Sequence, residues 1–103
     1  MTTLELQDYI NVYSMFSFRD GRKEPGNLIA KYNLEEACVQ YFFIAQENLQ
    51  AYKNAFERYD KESCSRLCSV VNTENILSVR PVSLSDYKII MQLLDERRKL
   101  FSF

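Results

Sequence analysis

The sequence predicts an all-α fold, an irregular bundle of four to five helices around one long central helix, and three observations predict it. First, Leu34, Cys38, Tyr41, Ala45, Leu49, Tyr52, Phe56 and Tyr59 follow one another at steps of three or four, the spacing of one helix face. Second, the chain holds only two glycines and two prolines, few for an all-β chain that must turn every ten residues or so. Third, at least two further segments repeat the helical spacing.

In chain order, Thr2 or Thr3 caps a first helix running to about Phe18, with Leu6, Tyr9, Ile10, Tyr13 and Phe16 on one face. Both glycines and one proline fall in Arg19 to Gly26, so the chain turns there. Asn27 to Tyr32 reads equally as a helical turn or an extended approach. Asn33 then caps the long helix, a rod of roughly 39 Å if it runs unbroken to Tyr59. Tyr41, Leu49, Tyr52 and Phe56 are its expected core face. No glycine or proline marks its end, and continuation past Tyr59 stays open. A third helix, capped by Asp60 or Ser63, carries Cys64, Leu67, Cys68 and Val71 and stops near Asn72. Thr73 to Val79 is a short fourth helix. Arg80-Pro81 forces an extended residue, and Ser83 with Asp86 imitates a capping box for a last helix to about Lys99.

The 103 residues suffice for a single domain, residues 1–103, and 47% hydrophobic content suffices for a core. Thirteen basic and fourteen acidic residues leave a net charge of -1, which offers polyphosphate no long-range attraction. The N-terminus lacks the charge and apolar run of a secretory signal, and no window is long and apolar enough for a membrane span. Three cysteines in such a chain read as reduced thiols, hence a cytoplasmic protein of a bacterium or a host cell.

Histidine is absent, which removes the usual general base, the usual activator of Ser or Cys nucleophiles and the usual metal ligand. Cys38, Cys64 and Cys68 lack the four-ligand, close-pair pattern of structural zinc and sit on apolar stripes, so they read as core filling. No metal, cofactor or catalytic residue is assigned. Arg19, Arg22, Lys23 and Lys31 are a candidate anion-binding set, although charged turns between elements are ordinarily just solvated. A helix-turn-helix over Ser63 to Leu94 would present only Ser85, Lys88 and Gln92 as polar readers, so nucleic-acid binding is weakly indicated.

Apolar residues off the main stripes carry the functional reading. Val39 and Phe43 lie inside the polar arc of the long helix. Ile89, Leu93 and Leu100 form a second stripe opposite Tyr87, Ile90, Met91, Leu94 and Phe101. Each set is either covered by a neighbouring helix or contacts another chain. The sequence therefore reads as a non-enzymatic intracellular protein-binding module of inhibitor, immunity, adaptor or regulator type. Its contact residues would be Val39, Phe43, Ile89, Leu93 and Leu100, and its partner another protein, itself, or both. The alternatives are a helix-turn-helix-like DNA-binding regulator and an oligomeric binder of a small anion or nucleotide through Arg19 to Lys31.

Overall fold

The computed structural model describes residues 1–83. It overturns the helical bundle. The described chain is a five-stranded antiparallel sheet in the order β4-β3-β2-β1-β5 with three short helices. The strands are β1 (Ser14–Phe18), β2 (Lys23–Asn33), β3 (Cys38–Ala45), β4 (Ser69–Val71) and β5 (Ile76–Pro81). The helices are α1 (Thr3–Leu6), α2 (Leu49–Glu57) and α3 (Lys61–Leu67). The expected last helix, and with it Ile89, Leu93 and Leu100, lies outside the described residues.

The supposed central helix divides into three pieces. Cys38–Ala45, CVQYFFIA, is rich in β-branched and aromatic residues, which fit a pleated surface. It pairs with β2 from Asn33↔Cys38 to Gly26↔Ala45. Asn33 does accept backbone hydrogen bonds through its side chain, from Glu35 N–H at 3.0 Å and Glu36 N–H at 3.1 Å. That bonding folds the β2–β3 turn instead of starting a helix, the local alternative that Asn offers the backbone. Ala37, at φ 51°, completes the turn. Helical structure begins only at Gln46, and α2 stops at Glu57. Beyond it Tyr59 takes φ 58°, its N–H reaches the Phe56 carbonyl at 3.1 Å, and Asp60 N–H reaches the Ala55 carbonyl at 2.9 Å. This is a Schellman ending with tyrosine where glycine is usual.

The other corrections follow the same pattern: the caps form, but the elements behind them are short. Thr2 caps α1 by accepting from Glu5 N–H at 3.2 Å, yet α1 ends at Leu6, and Ser14 to Phe18 is strand. The turn after it is tighter than its composition suggested, with Gly21 at φ 90° and Lys23 to Gly26 already in β2. Asn27 to Tyr32 is extended. Asp60 caps α3 through its side chain, which accepts from Ser63 N–H at 3.1 Å. Ser69–Val71 is strand, and the expected fourth helix is one 3-10 turn, Thr73–Asn75, leading into β5.

Alternation along the strands builds the core on one face. Leu6 of α1 closes over Phe16, Phe18, Leu28, Phe43 and Ile76, all buried. Phe43 stands edge-on to Phe16 and Phe18, with centroids at 5.1 and 5.3 Å, the geometry that aromatic quadrupoles favour. Burying a side chain of this size contributes about 1.5–3 kcal/mol. Gly26 is required beneath it. A Cβ there would meet the Phe43 ring at 2.6 Å and the Ile44 carbonyl oxygen closer still. On the opposite face Ile44 and Met15 are buried, and α2 and α3 add Ala55 and Cys64.

Candidate functional site

Two surfaces stand out once the sheet is assembled. The first is the outer half of the β2–β3 hairpin. β1 pairs with β2 only over Lys23 to Gly26, and β4 pairs with β3 only over Tyr41 to Phe43. From Lys31 to Gln40 the hairpin is thus a two-stranded arm among the described residues. Tyr32 and Val39 are direct cross-strand partners on that arm, 60% and 49% exposed, and Leu34 at its tip is 86% exposed. Paired side chains on adjoining strands share one face of the sheet, so Tyr32 and Val39 make one apolar patch.

Of the expected contact residues, Val39 is on this arm. Phe43, four residues on, is 5% exposed and belongs to the core. Its place in the polar arc held only for helical geometry, and a strand turns it inward. Leu49 and Tyr52 are half-buried in α2 and Tyr41 is half-buried in β3, whereas Phe56, expected in the core, is 67% exposed.

The four cationic residues of the candidate anion set are not brought together. Arg22 pairs with Asp20 at 3.6 Å and Glu24 at 3.3 Å and lies over the Phe18 ring at 4.7 Å. Arg19 donates to the Glu74 carbonyl at 3.0 Å. Lys23 opens β2, and Lys31 stands roughly 26 Å further along it at strand rise. Within the segment considered for a helix-turn-helix, 69–71 and 76–81 are the strands β4 and β5, while most of the recognition helix expected over Ser83 to Leu94 lies outside the described residues.

The second surface is a cleft of about 820 Å³ between the α1-distal face of the sheet and α2. Among the described residues Asn27, Ile29 and Lys31 line it from β2, Ile44 from β3, Gln46 from the 3-10 turn after it, and Leu49, Tyr52, Lys53 and Phe56 from α2. The Tyr52 and Phe56 rings stack at 6.4 Å, and the Lys31 ammonium lies 5.1 Å from the Phe42 ring centre. Burial raises the Tyr52 phenol above its ordinary pKa, and the neighbouring Cys64 and Cys68 raise it further. Burial likewise pushes the Cys68 thiol up, while Lys31 pulls it the other way. The sequence did not reveal this cleft, since its walls come from segments assigned to a single helix and an undecided approach.

The cysteines are all free, but Cys38 is exposed on the arm, Cys64 is buried and Cys68 is intermediate. Core filling describes Cys64 alone without qualification. No group of acidic, cysteine or histidine side chains among the described residues is arranged to hold a metal ion. Nor is any described helix long and apolar enough to cross a membrane. No protein-family model, curated protein or solved structure matches the chain.

Proposed function

We propose that this chain is a non-catalytic protein-binding module and that it binds through its β-hairpin arm, not through helix faces. The supporting observation is the patch of Tyr32, Leu34 and Val39, three large apolar side chains left exposed on a projecting element. Contiguous apolar surface on a small domain is where another protein gains most by excluding water. The open outer sides of β4 and β5 among the described residues, with Val70 and Leu77 exposed on them, support self-association as a second use of the same sheet. The lack of histidine fits a binding role, and three free thiols fit a reducing cytoplasmic compartment.

The test compares wild type with the combined variant Tyr32→Ser, Leu34→Ser, Val39→Thr, using affinity capture from the native host and light scattering of the purified chain. The reading requires a specific partner or self-assembly that the variant loses while its circular dichroism and melting stay unchanged. Retention of the same partners by the variant, or a wild type that is monomeric and captures nothing, sinks it.

A further inference from the structure

The hairpin arm and the cleft are complementary, and we infer that two copies of this chain dock reciprocally, the arm tip of each entering the cleft between the sheet and α2 of the other. The inference rests on the arm being the binding element and names a second copy as what it binds. The tip sets one large apolar side chain beside two acidic ones. Leu34 is 86% exposed, and Glu35 and Glu36 next to it are exposed as well. Neither carboxylate has a cationic partner among the described residues, and Glu36 accepts only the weak Cys38 S–H at 3.7 Å.

The cleft offers the matching set. Ile29 from the sheet and Leu49, Tyr52 and Phe56 from α2 supply apolar walls, and Lys31 and Lys53 stand among them. Both lysines are exposed, and neither forms an ion pair with a described residue. Phe56 is 67% exposed, so Leu34 entering beside it takes two large apolar surfaces out of water together. The same movement brings Glu35 and Glu36 to the two lysines, and opposite charge fixes the register of the contact. A cleft of about 820 Å³, a size that takes a small molecule, has room for the side chains of a turn and for no larger element. The place of Lys31 makes the docking mutual. It lines the cleft and also opens the arm, and β2 ends at Asn33, only about 7 Å further along at strand rise. Two arms laid side by side in opposite directions therefore carry each tip to the other copy's cleft. That is a two-fold contact, which closes on itself as a dimer.

The test is an exchange of charge, read by sedimentation equilibrium of the full chain. The tip variant is Glu35→Lys, Glu36→Lys, and the cleft variant is Lys31→Glu, Lys53→Glu. All four positions are exposed, and Asn33 keeps its bonds to the backbone N–H groups at 35 and 36, so circular dichroism should match wild type. Should the cleft variant misfold, Lys53→Glu alone, on the exposed side of α2, takes its place. Wild type is expected to dimerise. Each variant alone should dimerise at least about tenfold more weakly, because like charges then meet at both contacts. An equimolar mixture of the two variants should regain a dimer, since every tip again faces a cleft of opposite charge. Leu34→Ser should weaken the dimer with all charges in place. The inference is overturned if wild type stays monomeric, if either variant dimerises as well as wild type, or if mixing restores nothing. A dimer that survives both exchanges pairs through another surface, such as the outer edges of β4 and β5. None of these results touches the arm's role toward a different protein, which fails separately if Tyr32→Ser, Leu34→Ser, Val39→Thr retains every partner.

Discussion

Replacing Phe43 by alanine should destabilise the protein far more than replacing Phe56. Phe43 is 5% exposed, stands edge-on to two phenylalanines and faces Leu28 across the β2–β3 ladder. Its truncation removes the transfer free energy of the ring and leaves a cavity that Gly26 cannot fill, a loss of about 3–5 kcal/mol. Phe56 is 67% exposed and, among the described residues, its ring stacks on Tyr52 alone, so its truncation should cost no more than about 1 kcal/mol. At about 4–8 °C per kcal/mol for a domain of this size, the melting temperature should fall by more than about 12 °C for Phe43→Ala and by only a few degrees for Phe56→Ala. The assay is thermal and urea unfolding of both variants beside wild type, with the urea slopes compared to check for a common unfolded state. A larger loss at Phe56 than at Phe43 would refute the sheet and restore the helical reading, in which their places were reversed.

Other outcomes follow from the same packing. Gly26→Ala should destabilise by about 1–3 kcal/mol through overpacking against Phe43 and Ile44, read by urea midpoint. In the α3 cap, the Ser63 hydroxyl at 2.6 Å and its N–H at 3.1 Å hold the Asp60 carboxyl below its ordinary pKa of 3.8. With the folded value the lower one, the cap's contribution is complete above the unfolded pKa and disappears as pH falls through the folded value. The gap in melting temperature between wild type and Asp60→Ala should therefore close in acid, and a gap independent of pH would contradict it. Toward a thiol reagent at neutral pH, Cys38 should react fast, Cys68 more slowly because burial raises its pKa, and Cys64 only on unfolding.

What the sequence revealed was local, and what it concealed was the partner of each segment. Thr2, Asn33 and Asp60 all make the side-chain bonds that their types and positions announced. The elements they introduce were misjudged because the chain ends them without its usual punctuation. Asn11, Ala37 and Tyr59 adopt positive φ in place of glycine, so the breaks before β1, between β2 and β3 and between α2 and α3 carry no glycine, and β3 runs into the helical turn at Gln46 with no break residue at all. The stripe from Leu34 to Tyr59 proved to be a coincidence across a turn, a strand and a helix. Cys38 and Tyr41, three residues apart, point to opposite faces of β3. One signal did argue for a strand: the run Val39, Tyr41, Phe42, Phe43 and Ile44, whose β-branched and aromatic residues favour a pleated surface. Val39 is exposed, but the helical arc that singled it out also singled out the buried Phe43. The cleft was not legible, because its walls meet only through the β2–β3 register and the position of α2.

The reading of the arm depends on the β2–β3 register. Nuclear Overhauser spectra of labelled protein test it most directly, through contacts between residues far apart in sequence. The account predicts cross-strand contacts between Ala30 and Tyr41 and between Tyr32 and Val39, the ladder partners of the hairpin. Helical contacts between residues i and i+4 should appear only from Leu49 to Glu57 within the former long-helix segment. Helical contacts running unbroken from Asn33 to Tyr59, with no cross-strand pair, would contradict it.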